Sequence, residues 1–185
     1  MIDFVKKKYL NKLESLKDNV NVVKVITGIR GSGKSTLLND EKESLLTKGI
    51  NEKDIISVNL DLDSNKNIKT SGDLIELIKK QDYDSETKKY LFIDEIQYIK
   101  NFEEVLVQYF SSKKYSIFIS SSNKCLFSKK FLELFSGKYE VIELKPLSLK
   151  EFNEVANINK LEPNSLLTGY ILESGFIETQ NVSDL

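Results

Sequence analysis

Histidine and tryptophan are missing from this chain of 185 residues, cysteine and methionine occur once each, and arginine occurs only as Arg30 among 27 lysines and arginines. Without histidine there can be no Ser-His-Asp triad and none of the usual histidine-containing zinc sites. The lone Cys125 cannot form an internal disulfide; it reads as a small buried residue suited to a reducing compartment. No run approaches the roughly 20 apolar residues that cross a bilayer, and residues 1–16 lack a signal-peptide core, so the expected address is the cytoplasm with no membrane partner. The net charge of -1 supplies no bulk field towards nucleic acid or anionic lipid. Lysine in place of arginine also removes the planar, bidentate fork that guanidinium offers to phosphate. What is left to do chemistry is carboxylates, lysine, hydroxyls, backbone amides and a hard metal such as magnesium.

With 40% apolar residues the chain can bury one full core. Apolar spacing at Ile2, Val5, Tyr9, Leu13 and Leu16 predicts an opening helix, broken at Asp18 and Asn19. The β-branched run 22–27 reads as a buried strand ending in a glycine-rich turn. Leu37, Leu38, Leu45 and Leu46 mark the next helix, closed by Gly49. Further strands are expected at 55–60, 89–94, 116–120 and 139–144. Helices are expected around 74–78 (with Ser71 and Asp73 as capping candidates), 102–110 and 128–135. Strands alternating with helices predict a parallel sheet covered on both faces. Residues 1–145 are assigned to an α/β core with its N-terminal helix, and 146–185 to a helical C-terminal extension. The polar stretch 63–69 reads as a solvated surface connection.

Gly28-Ile29-Arg30-Gly31-Ser32-Gly33-Lys34-Ser35-Thr36 matches G-x-x-x-x-G-K-[ST], between a predicted strand and a predicted helix as the mechanism needs. Glycines let successive N–H groups curl around a phosphate, and the helix aims its positive end at the same point. Lys34 is expected on the β- and γ-phosphates and Ser35 on magnesium, with Thr36 a weaker nucleotide contact. The apolar run Tyr90 to Ile93 then delivers Asp94 and Glu95 at a strand's C-terminal end, where ligands of parallel sheets bind. Asp94 is expected to hold magnesium through its water shell and Glu95 to polarise the attacking water. The 60 positions from Lys34 to Asp94 leave room for a helix, a strand and another helix. That favours a sheet with an extra strand between the two motif strands. At the end of the next strand, either Asn123 or Ser122 could sense the phosphate or position water. Leu126 stands where a guanine-selecting aspartate would follow Asn123-Lys124, which disfavours GTP.

These motifs resemble the prokaryotic AAA-type ATPases, with their Gly-x-Arg-x-x-Gly-Lys-Ser-Thr loop and Asp-Glu-Ile-Gln second motif, here Asp94 to Gln97. Gly137-Lys138-Tyr139, Pro146 to Phe152 and Ser174 to Glu178 are similar to later family motifs, in the same order. The resemblance implies a three-layer P-loop NTPase fold with a five-stranded parallel sheet, and ATP and Mg²⁺ as ligands. It also implies a C-terminal region beyond the ATPase portion, where this chain stops. Lys138 stands at the family's candidate arginine finger, so slow hydrolysis is expected unless a partner donates the group; such fingers contribute about 10³ to 10⁵ in rate. A protein partner or a second copy is therefore the expected company. Nucleic acid is suggested only by the family's relatives. Two other classes compete: a nucleotide-gated binding module with negligible hydrolysis, favoured by the scarcity of arginine but opposed by Glu95, and a small-molecule kinase, disfavoured by the missing arginine-rich lid.

Overall fold

The computed structural model describes residues 3–83, 87–122 and 126–146, together with Ser148 and Glu151. Helices and strands alternate along them: α1 (Asp3–Leu16), β1 (Val23–Thr27), α2 (Lys34–Thr47), β2 (Ile55–Asn59), α3 (Ser71–Gln81), β3 (Lys89–Asp94), α4 (Phe102–Ser111), β4 (Tyr115–Ser121), α5 (Lys129–Phe135) and β5 (Tyr139–Glu143). The strands form one sheet in the order β2-β3-β4-β1-β5, and every pair is parallel. The fold class expected from the sequence is therefore present. In space β4 separates β1 from β3, the two strands that carry the phosphate-loop and carboxylate motifs.

The continuous apolar runs are explained by burial on both faces, as parallel sheets require. Successive side chains point to opposite faces. Val23 and Val25, Leu91 and Ile93, and Ile117 and Ile119 pack with Leu74 and Ile78 of α3, the apolar side of α4, and Phe131 and Phe135 of α5. Their neighbours Ile26, Tyr90, Phe92, Phe118 and Ile142 face Leu13 of α1 and Leu37, Leu38 and Leu45 of α2. Phe92 and Phe118 stack across β3 and β4 with ring centroids 4.5 Å apart. Each fully buried Leu, Ile or Phe contributes roughly 1.5–3 kcal/mol, so the sheet's alternation is strongly specified.

The helix start at residue 71 differs from expectation. Thr70, not Ser71 or Asp73, is the N-cap: it accepts from the Asp73 N–H, while the Asp73 carboxylate accepts from the Thr70 N–H. Asp73 sits three residues past the cap, completing a reciprocal capping box whose Thr-x-x-Asp spacing places the true cap one residue earlier. The stretch 63–69 is mostly exposed, as expected. Cys125, Asn123 and the helices expected after Pro146 lie outside the described residues, apart from Ser148 and Glu151. No helix among the described residues is long and apolar enough to cross a membrane.

Candidate functional site

Parallel packing brings the C-terminal ends of β1, β4 and β3 side by side, and the polar residues concentrate there. The loop after β1 leaves through Gly28, where a Cβ would fall 2.5 Å from both the Leu144 carbonyl oxygen and Ser32 Oγ. Only glycine fits so close an approach of two backbones. The loop closes with Ser32 N–H donating to the Ile29 carbonyl at 3.1 Å and with Gly33 in the left-handed region at φ 87°. Lys34, Ser35 and Thr36 form the first turn of α2.

This helix start is built without the usual devices. Gly33 offers no side-chain cap, and the first turn contains no acidic residue. Four N–H groups at a helix start lack intrahelical partners, and a buried start without partners is abnormal. Here Gly33 and Lys34 are buried. Ser32 Oγ is also buried without a hydrogen-bond partner. Such a cluster of orphaned donors is suited to an anion, because the helix N-terminus is positive and buried polar groups need partners.

Lys34 is only 3% exposed; its Nζ donates to the Ile29 carbonyl at 3.1 Å and lies 3.3 Å from Glu95 Oε1. Asp94, at the end of β3, accepts a hydrogen bond from Ser120 Oγ, and the Ser35 hydroxyl is near enough to favour its charged form. Burial, reinforced by the Glu95 charge, pushes the Asp94 carboxyl above its usual range despite the Ser120 and Ser35 hydroxyls and the Lys34 ammonium. Ser35 and Asp94 thus present a hydroxyl and a carboxylate together, a hard-oxygen pair of the type that magnesium takes.

Glu95 follows in the left-handed region, at φ 58° and ψ 49°. Its N–H donates to Ser120 Oγ at 2.9 Å, so one serine ties both acids to β4. Ser122 donates to it twice, from Oγ to Oε1 at 2.6 Å and from N–H to Oε2 at 3.1 Å, and Gln97 Nε2 donates to Oε2. Burial pushes the Glu95 carboxyl up, but the Gln97 and Ser122 donors and the Lys34 charge outweigh burial and hold it below the usual carboxylate range. Beside this constellation a cavity of about 160 Å³ is lined by residues that include Gly28, Ile29, Ser122 and Pro146.

Two expected residues stand apart. Arg30 is 77% exposed on its side chain, with its guanidinium 3.0 Å from Asp61 in the loop after β2, and Tyr98 donates to the same carboxylate. Its backbone belongs to the loop, but its side chain is not gathered with Lys34. Lys138 stands at the opposite edge of the sheet. Its carbonyl accepts from Val23 N–H at 2.9 Å, at the N-terminal edge of the sheet. The five-residue β1 separates it from the phosphate loop, roughly 16 Å along the strand. In its own chain the Lys138 backbone is therefore remote from the phosphate loop. Conversely, Ser120 and Gln97 hold the two acids without belonging to the candidate set. The run of small serines closing an otherwise apolar strand, and the glutamine two residues past Glu95, were the available signals.

The five-stranded parallel order with β4 between the two motif strands defines the P-loop NTPase class of AAA type. A family model described as AAA domain (AAA_14) matches residues 20–153, and the chain belongs to this family. A Haemophilus influenzae protein of uncharacterised function is 34% identical over 151 residues, covering 82% of this chain and 38% of that protein. Among solved structures, a DNA polymerase III gamma subunit-related protein of Thermotoga maritima superposes with TM-score 0.64 at 12% identity, over 92% of this chain and 55% of that one. Aquifex aeolicus DnaA bound to AMPPCP gives 0.62 at 16%, over 96% and 58%. Aeropyrum pernix ORC1 in complex with DNA gives 0.60 at 13%, over 91% and 55%. At these identities the likeness is one of fold. This chain spans little more than half of those structures and 38% of the Haemophilus relative.

Proposed function

We propose that the chain binds ATP with magnesium and hydrolyses it slowly, at the C-terminal edge of the sheet. The observation that carries this reading is the buried meeting of Lys34 and Glu95 at 3.3 Å beside an uncapped helix start. Orphaned N–H groups and a buried ammonium at one point suit the charge and oxygen density of a triphosphate. In this reading the loop amides from Gly28, Gly31, Ser32 and Gly33 wrap the phosphates, Lys34 neutralises them, and Thr36 supports the loop. Ser35 and Asp94 hold magnesium, which supplies charge neutralisation on the phosphate oxygens when bound. Glu95, kept ionised by its donors, accepts the proton of the attacking water.

No guanidinium is gathered at the site, since Arg30 is engaged at Asp61. A protein partner, or the Lys138 of a second copy, would have to bring the missing positive charge, which supports slow turnover in isolation. The same observation favours a second reading, a nucleotide-gated module that docks a protein or DNA partner without appreciable hydrolysis. Calorimetric titration with ATP, ADP and GTP, with and without magnesium, followed by single-turnover hydrolysis, tests both. Lys34→Ala should lose binding, and Glu95→Gln should bind ATP without turning it over. If Glu95→Gln turns over at the wild-type rate, the catalytic assignment is wrong.

A further inference from the structure

We propose that Arg30 is the guanidinium of the phosphate site and that Asp61 holds it off that site, so that a cationic group brought to Asp61 speeds hydrolysis. This rests on the ATPase reading above and says where the missing positive charge comes from. The chain has no other arginine. Although its backbone belongs to the phosphate loop, its side chain turns away: Nη2 donates to Asp61 Oδ2 at 3.0 Å, while Tyr98 Oη donates to Oδ1 of the same carboxylate at 3.3 Å.

Both ends of that side chain stand at the rim of the site. At its root, Arg30 and Gly31 form the corner of a turn closed by Ser32 N–H on the Ile29 carbonyl, with Gly31 in the left-handed region at φ 82°. The same carbonyl accepts from Lys34 Nζ at 3.1 Å. The Arg30 Cα is one peptide unit from that oxygen, hence at most about 6 Å from the ammonium. Three methylenes and a guanidinium span that distance. At the tip, Asp61 is anchored beside Asp94. The β2–β3 pairing runs to Asn59 and Asp94, Leu60 N–H donates to the Asp94 carbonyl at 3.1 Å, and Asp61 N–H donates to Asn59 Oδ1 at 2.9 Å. Tyr98 ends the turn that follows Glu95. The dock is therefore fixed to the strand ends that deliver both acids, whereas the Arg30 side chain it holds is 77% exposed and has room to swing.

An exposed ion pair is a weak restraint, shifting a population by up to about five-fold. In the transition state charge spreads over the oxygens of the transferring phosphoryl group, and a guanidinium can bond two of them at once. Arg30 leaves Asp61 for those oxygens more readily in the transition state than in the ground state, so the contact slows turnover more than it weakens binding. A partner that lays a lysine or arginine on Asp61 releases Arg30 without itself reaching the phosphate.

A gain of rate that depends on Arg30 tests this. The full chain carrying Asp61→Asn, Asp61→Lys or Arg30→Ala, and each Asp61 change combined with Arg30→Ala, is titrated calorimetrically with ATP and magnesium, and single-turnover hydrolysis is measured on the same samples. Asp61→Asn removes the acceptor, and Asp61→Lys imitates the partner's cation. Both should raise the hydrolysis rate about two- to five-fold, the worth of an exposed ion pair. Arg30→Ala should lower the rate at least about ten-fold while changing the Kd for ATP less than about three-fold, as for a contact made in the transition state. The combined variants should match Arg30→Ala alone. A contact that merely shapes the loop would lose rate in every variant. A rate that stays level or falls in folded Asp61 variants overturns the restraint, and so does a gain that survives without Arg30. Arg30→Ala at the wild-type rate overturns its role. Should one Asp61 variant fail to fold, the other decides. Wild-type protein that binds no ATP would sink the ATPase reading itself, whereas wild-type turnover with indifferent Asp61 variants sinks only the restraint.

Discussion

The two edges of the sheet both bury lysine, yet they treat it differently. At the N-terminal edge Lys24 is fully buried in β1, with Nζ donating to the Asn19 carbonyl at 2.6 Å and to Ser116 Oγ at 2.7 Å, above the Phe118 ring. Lys89, also fully buried, pairs with Asp82 at 2.6 Å and donates to the Tyr83 carbonyl. These ammoniums are enclosed by neutral or local groups that nothing displaces. At the C-terminal edge Lys34 faces a carboxylate that is itself held by a strained turn, next to a helix start without a cap. The contrast teaches that a buried lysine marks a binding site only when its surroundings also leave donors unsatisfied. A buried ammonium by itself is compatible with plain architecture.

The comparison can be broken at either edge. The largest effect is expected from Lys34→Ala, which should weaken ATP binding by on the order of 100-fold or more, as for truncating a buried charge pair. Lys24→Met should leave ATP affinity unchanged in the same titration. If the two variants lose affinity equally, the distinction between edges fails. Next in size, Gly28→Ala places a Cβ 2.5 Å from the Leu144 carbonyl and should cost roughly 1–3 kcal/mol of stability in urea denaturation, together with nucleotide binding. Gly49→Ala has nothing within 4 Å and pays only the strain of its positive φ.

Two buried ionisable groups between the sheet and α2 sharpen the contrast through pH. Burial, aided by the Lys88 charge, pushes the Lys24 ammonium down to about 7. The folded state then binds fewer protons than the unfolded chain, so Lys24 adds stability as pH rises from about 7 towards 10.5, by at most about 1.4 kcal/mol per pH unit. Lys24→Met should flatten that slope in thermal unfolding measured from pH 7 to 9. Glu41, buried with neither oxygen partnered, is pushed up to about 7 by burial and by the charge of Glu14. Its contribution is complete below the unfolded carboxylate value and lost as pH rises through about 7. Glu41→Gln should therefore raise the unfolding temperature at pH 8 more than at pH 5, and the reverse order would show that Glu41 is not held neutral. The smallest effect is expected at the exposed Arg30–Asp61 pair, where Arg30→Ala should change stability by less than about 1 kcal/mol.

Much of the fold was legible because its three central strands are buried on both faces and its helices on one. The β-branched and aromatic runs at 22–27, 55–60, 89–94 and 139–144 needed no partner information to be read as strands. Boundaries moved by a residue or so where a cap chose them, as at Thr70. Of the candidate site, the loop residues, Asp94 and Glu95 could be named because phosphate and magnesium chemistry demand those residue types in a contiguous spacing. Ser120 and Gln97 are not legible as site residues, since their place there comes from hydrogen bonds to Glu95 and Asp94 that form only in the folded sheet. Lys138 enters the candidate set only through the resemblance, and the parallel register of β5 against β1 sets its backbone at the N-terminal edge of the sheet in its own chain.

By itself the sequence determined the alternation of strand and helix, the parallel covered sheet and the loop from Gly28 to Thr36, because periodicity and backbone-cradle chemistry are local. Only the tertiary structure decided that the strand between β1 and β3 is β4 and not the intervening β2, that Ser120 and Ser122 fasten Asp94 and Glu95, and that Lys34 rests on Glu95. Those contacts join residues 25 to 61 positions apart, and nothing in a one-dimensional pattern specifies which strand ends will meet until the whole sheet has packed.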